Sequence, residues 1–240
     1  MFKKTKMDVI ITVIASRNKI YDQFIELYWV PFIDFINIHY PSILVLMIFG
    51  NDESTQGLSL KKENIFFATN PESMIPGIYD KTIECFEYIV ASYNYKHVLR
   101  TNLSSFFIIE HLMKTSESLS DTNLYAGYIS DSGKRISFCS GACIWMSQDI
   151  VQILISNKNH IDRAKRNDDI IISTILKDVP RTLVRGRHCI NKDINIKNKE
   201  ALLKDIIDKG IYHIRIKNCK NRQLDVDYMT EFTNFLYKNV

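Results

Sequence analysis

Apolar runs and amphipathic stretches alternate along the chain, an order that predicts strands and helices in succession. Val9 to Ala15 is apolar and rich in β-branched residues, as expected of a strand covered on both faces, and the polar Ser16-Arg17-Asn18 closes it. Ile20, Phe24, Leu27 and Tyr28 then recur at helical spacing up to Pro31, where a helix should bend or stop. "ILVLMIF", from Ile43 to Phe49, predicts a second buried strand ended by Gly50-Asn51-Asp52, and Asn64 to Ala68 predicts a third, shorter one. From Tyr79 to Tyr93, the stripe of Ile83, Phe86, Val90 and Tyr93 predicts an amphipathic helix that leads into a short strand, Lys96 to Leu99.

Further on, Phe106 to Met113 reads as helix and Leu124 to Ile129 as strand, while Ile136 to Met146 is an apolar segment broken by Gly141. Ser147 is placed to cap a helix with Asp149 in its first turn, and another helix begins near Asp168. Thr182 to Val184 and "IYHIRIK" complete the alternation as strands, and the lysine- and asparagine-rich Asn191 to Glu200 predicts a mobile surface loop. No internal repeat, low-complexity segment or interdomain linker interrupts the pattern. It predicts a mixed α/β sandwich of sheet and helices in one domain over residues 1–240.

Composition narrows what such a domain does. With 240 residues and 46% hydrophobic content the chain can bury a substantial core. The net charge of +4, from 31 basic and 27 acidic residues, is spread along the sequence, and the densest basic run is "RTLVRGR", Arg181 to Arg187. That pattern favours an anionic small ligand over a nucleic-acid backbone. The five cysteines form no CxxC pair and no zinc-like spacing with histidine, which predicts buried, reduced thiols. Asp8 interrupts the approach to the first apolar run, and no stretch nears the roughly 20 apolar residues of a membrane span, so a soluble, cytoplasmic protein is expected.

One stretch remains unexplained by packing. "HVLRTNLSSFF", residues 97–107, begins as a buried strand and turns polar without a carboxylate, glycine or proline. It lies at the carboxyl end of a strand, where open α/β sheets bind ligands.

The succession of the first strand, "YDKTIECFEYIVASYNYKHVLRTNLSSF", "FCSGACIWMSQDIV" and "NDDIIISTIL" resembles the GT-A family of nucleotide-sugar glycosyltransferases. It is most similar to the galactosyltransferase-like branch with its small bacterial and viral relatives, over about Asp8 to Arg215. The resemblance implies a GT-A three-layer α/β/α sandwich with a mixed central sheet. In that family a strand ends in K-T-D-D-D, whose first and third carboxylates hold a divalent cation on the donor diphosphate. Here Thr101 stands on the threonine, Asn102 on the first aspartate and Ser104 on the third. Two outcomes stay open. Either Mn²⁺ or Mg²⁺ is held weakly with help from Asn102, Ser104 and His213, or cations such as Arg17, Arg100 and Arg215 neutralise the diphosphate directly. A structural alternative is that Thr101 to Ser105 only cap the next helix.

The remaining roles follow from the same resemblance. Ser16, Arg17 and Asn18 would meet the nucleoside, and Lys81, Arg100, Thr101 and Arg215 the rest of the donor. Gly141, with Ser140 beside it, would let the backbone approach sugar or acceptor, unless the glycine marks only a bulge, and Trp145 would either stack on a sugar ring or fill the core. Asp169 would be the general base and Asp168 would orient acceptor hydroxyls, unless both merely favour a helix start. Strand alternation places His213, Arg215 and Lys217 on one face, which reads as phosphate-facing, and Arg222 is a further, weaker candidate. The expected activity is transfer of a hexosyl or pentosyl group from a UDP-linked donor to a glycan hydroxyl, with inversion, and with no nucleic-acid partner. The competing expectation is a catalytically silent module that binds a nucleotide sugar or glycan.

Overall fold

A computed structural model describes residues 4–131, 137–159, 166–190, 198–218 and 220–238. Seven strands form the main sheet: β1 (Thr5–Ile14), β2 (Ile43–Phe49), β3 (Ile65–Phe67), β4 (Tyr93–Asn102), β6 (Tyr125–Asp131), β7 (Ser137–Ser147) and β8 (Arg181–Leu183). Their order is β3-β2-β1-β4-β7-β6-β8, and only β7 runs antiparallel to its neighbours. A second sheet joins β5 (Ser105–Phe107), β10 (His213–Ile216) and β9 (Arg187–Ile190), in that order.

The period-two alternation of β1 divides the core. Val9, Ile11 and Val13 face one apolar cluster and Ile10 and Ile14 the other. The first cluster lies under α1 (Lys19–Phe24), α2 (Val30–His39) and α8 (Arg222–Leu236); the second lies under α3 (Gly77–Ser92), α5 (Gln148–Ser156) and α6 (Asp168–Ile175). The sheet is thus covered on both faces, a three-layer α/β/α sandwich, and each fully buried large side chain stabilises it by roughly 1.5–3 kcal/mol. Two further helices, α4 (Ile109–Ser118) and α7 (Lys199–Asp208), pack beside the smaller sheet.

Several elements depart from expectation. The first helix does not end at Pro31: a π-helical turn, Ile25–Trp29, links α1 to α2 and leaves the proline in the first turn of α2, where a missing N–H costs little. The predicted helix from Phe106 is a short strand, β5, because its backbone pairs with β10 across more than a hundred residues, and α4 starts only at Ile109. The strand predicted for Lys96 to Leu99 runs on to Asn102. Within the predicted loop at 191–200, residues 191–197 lie outside the described residues, while Lys199 and Glu200 open α7. Cys85, Cys139 and Cys143 are buried free thiols, but Cys189 is exposed, and Cys219 lies outside the described residues.

Candidate active site

The carboxyl ends of β1 and β4 open on a cavity of about 530 Å³. Its floor comes from Ile14, Arg100 and Asn102; one wall comes from Ser140 to Ala142 of β7 and from Asn167, Asp168 and Asp169 at the start of α6. The other wall comes from the small sheet, with Arg187 and Cys189 of β9, Arg215 of β10 and Lys217 just beyond it. Four basic groups against two carboxylates give the lining an excess of two positive charges, suited to an anion of several charges.

Backbone geometry fixes these groups. Register pairs Ile14 with Asn102 and Thr101 with Cys143, so the ends of β1, β4 and β7 meet. Arg100 is only 3% exposed; it donates one guanidinium N–H to the Gly141 carbonyl and another to Asp168. Asn102 links three strands: its Oδ1 accepts from Arg215 and from the Ser104 N–H at 3.2 Å, and its Nδ2 donates to the Gly141 carbonyl at 3.4 Å. Gly141 suits this crowding, since a Cβ there would lie 2.7 Å from Arg100 Nη1 and the guanidinium would have to shift.

Electrostatics distinguish the two acids. Asp169 accepts from the Gly141 N–H at 3.3 Å and from the Ile170 N–H at 2.9 Å. Burial, and then the neighbouring Asp168, nevertheless raise its pKa above the ordinary aspartate value. Arg215 moves the other way: burial, followed by repulsion from Arg187, Arg222 and Arg100, pushes its pKa down to about 10. Arg187 stacks its guanidinium over Tyr128 at 4.7 Å.

Of the residues singled out in the sequence, the cavity brings together Arg100, Asn102, Ser140, Gly141, Asp168, Asp169, Arg215 and Lys217. Others lie elsewhere. Trp145 is fully buried and donates its indole N–H to Tyr212, so neither ring face is open to a sugar. His213 is likewise fully buried, stacked on Phe107 and bonded through Nε2 to Ser105 Oγ at 3.0 Å; the expectation that it faces phosphate gives way to a packed, neutral ring. Thr101 donates to the Ala142 carbonyl under the sheet, and Ser104 is buried against Arg222. Lys81 is buried beneath the strand end, bonded to the Ala15 carbonyl and paired with Glu72. Ser16, Arg17 and Asn18 form the turn after β1: Asn18 caps α1, and Arg17, paired with Asp22, borders a separate opening with Asp52, Glu53 and Ser54. Arg187 and Cys189 were not candidates, although Arg187 ends the basic run that composition had marked.

The seven-stranded mixed sheet with helices on both faces matches the GT-A architecture of glycosyltransferases. Among solved structures, the chain is similar to the galactosyltransferase LgtC in complex with donor and acceptor sugar analogs, at 10% identity and a TM-score of 0.55 over 94% of this chain and 96% of that one. It is also similar to a glycosyltransferase involved in glycosylation of the major capsid of PBCV-1, at 11% identity and a TM-score of 0.52 over 93% of this chain and 99% of that one. No protein-family model matches the sequence, and no curated protein matches it at a significant level. Among the described residues, no helix is long and apolar enough to cross a membrane.

Proposed function

We propose that the chain is a glycosyltransferase moving a hexosyl or pentosyl group from a nucleotide diphosphate donor, a UDP-sugar, to a hydroxyl of a glycan acceptor with inversion. One observation carries the reading: a half-buried carboxylate with raised proton affinity, Asp169, shares a strand-end cleft with four cations. As the bond between the anomeric carbon and the diphosphate oxygen breaks, the electron pair leaves on the diphosphate, and the cations stabilise the growing charge. Asp169 takes the proton of the acceptor hydroxyl as its oxygen attacks the anomeric carbon from the opposite side. Asp168, anchored by Arg100, orients acceptor hydroxyls. Gly141 keeps the wall low enough for the sugar to lie against backbone. The nucleoside extends toward the turn holding Arg17, beside Asp52 and Glu53.

The test is nucleotide release from a panel of UDP- and GDP-sugars with glycan acceptors. Acceptor-dependent release from a UDP-sugar is expected. It should fall by about 10²-fold or more in Asp169→Asn, the usual contribution of a general base. Its acid limb should lie above the ordinary aspartate pKa, because Asp169 acts only when ionised. Donor binding without consumption under any acceptor would instead mark a silent binding module, and failure of every nucleotide sugar to bind would end the reading.

A further inference from the structure

At the end of β4 two neutral acceptors each hold a guanidinium. Asn102 Oδ1 accepts from Arg215, and Ser104 Oγ accepts from Arg222 Nη2 at 3.0 Å. These are the positions where the resembled family carries metal-binding carboxylates, and the residues present do not fit Mg²⁺ or Mn²⁺. An amide oxygen and a hydroxyl bring no charge to offset the dehydration of a hard dication, and both are already engaged by cations. The carboxylates that reach the cleft are engaged as well, Asp168 by Arg100 and Asp169 by two backbone N–H groups. Among the described residues, no group of three or more His, Cys, Asp or Glu side chains is arranged to hold a metal ion.

The same residues fit an anion. Arg215 forms no salt bridge with a carboxylate among the described residues; Arg100, Arg187 and Arg222 stand close enough for their charges to act on it, and although Asp168 pairs with Arg100 and Asp225 pairs with Arg222 and also acts on Arg215, the arginines remain in excess. Arg187 Nε is buried with no hydrogen-bond partner among the described residues. Like charges gathered in a low-dielectric wall destabilise the fold until an anion joins them, and planar guanidinium forks match phosphate oxygens in pairs.

We infer that this cleft holds the donor diphosphate without a metal, with Arg215 and Arg187 as its counter-ions and Asn102 as the positioning residue that aims Arg215. The inference rests on the proposed donor class for the nucleotide but concerns the diphosphate itself. Arginine replaces the dication as the fixed positive charge, and a neutral amide replaces the carboxylate because an acid at 102 would cancel the charge it should present.

The experiment is calorimetric titration of the full chain with pyrophosphate, UDP and the UDP-sugar panel, in EDTA and in Mn²⁺. Pyrophosphate and UDP should bind in EDTA with dissociation constants within about twofold of those in Mn²⁺. Arg215→Ala should weaken both by about 10- to 100-fold, the loss of a charged hydrogen-bonding group. Asn102→Asp, which gives Arg215 a carboxylate partner, should weaken them by roughly tenfold in EDTA. Arg215→Lys, with circular dichroism confirming the native fold, keeps the charge without the fork and should fall between wild type and alanine. Binding that requires Mn²⁺, or folded Arg215 and Asn102 variants that bind as wild type does, overturns the inference. Pyrophosphate held in EDTA by a protein that binds no nucleotide sugar would sink the transferase reading alone. UDP-sugar consumed only with Mn²⁺ would sink the metal-free clamp alone.

Discussion

Two residues apart on β10, His213 and Arg215 occupy opposite electrical situations. His213 is sealed against Phe107 and Tyr212, and burial, reinforced by Arg187 and Arg215, depresses its pKa well below the ordinary histidine value. Arg215 reaches the cleft and keeps its charge. β4 repeats the contrast: His97 is buried with both ring nitrogens bonded, to Ser116 Oγ and the Ser120 carbonyl, whereas Arg100 and Asn102 line the cavity. Each strand passes from core to site within one or two pleats. On each strand the basic side chains therefore divide into a neutral, packed end and a charged, ligand-facing end, and burial decides where the division falls.

That division can be tested from both sides. At the cleft end, Gly141→Ala drives a methyl group into Arg100 and toward Asp169 Oδ2, 3.4 Å away. Displacing the Arg100 guanidinium, which anchors Asp168, should lower kcat/KM by about 100-fold. The folded protein should persist with a modest drop in Tm, and unchanged kinetics would mean that the wall at β7 is not where the sugar lies. At the core end, Trp145→Phe removes an indole and its hydrogen bond to Tyr212, so unfolding free energy should fall by about 2 kcal/mol. The KM values for donor and acceptor should not move; a tenfold rise in acceptor KM would return Trp145 to the site.

The smallest effect concerns protons. The depressed pKa values of His213 and His97 mean that the unfolded chain binds protons near pH 6.5 while the folded chain does not. Stability should therefore rise with pH through this window and decline as pH falls below about 6.5, by roughly 1 kcal/mol per histidine for each pH unit. Glu53, Asp169 and Asp225, whose pKa values are raised, act in the opposite sense nearer the carboxylate range. Denaturant unfolding between neutrality and mild acid should lose part of this slope in His213→Gln, and an unaltered slope would place the titration elsewhere.

The parallel half of the sheet was legible because β1 and β2 are covered on both faces and read as unbroken β-branched and aliphatic runs. The helix α3 was legible because its stripe has the right period. What escaped depended on distant partners. Phe106 and Phe107 look helical locally, yet pairing with Ile214 and His213 makes them a strand. "RHCI" carries too little apolar character to announce β9, which exists through its parallel pairing with β10. The helix α8 was missed although Val226, Met229 and Phe232 recur at helical spacing, a signal diluted by polar neighbours. In the site, Arg100, Asn102, Ser140, Gly141, Asp168, Asp169 and Arg215, assigned by resemblance, do line the cleft, whereas Ser16 to Asn18, Lys81, Thr101 and Ser104, assigned in the same way, do not, and Trp145 and His213 are core. Arg187 escaped because a charge run does not say which of its members turns inward.

The wide turn at Ile25–Trp29 acts as a phase-shifter. It joins α1, which packs on α8, to α2, which packs on β2, and its Tyr28 and Trp29 are buried. Trp29 reaches the Leu103 carbonyl at 3.3 Å, and the Tyr28 hydroxyl accepts the Phe107 N–H at 2.8 Å. The turn that follows the polar end of β4, and the strand β5 beyond it, are thus moored by a helix irregularity lying more than 70 residues earlier in the chain.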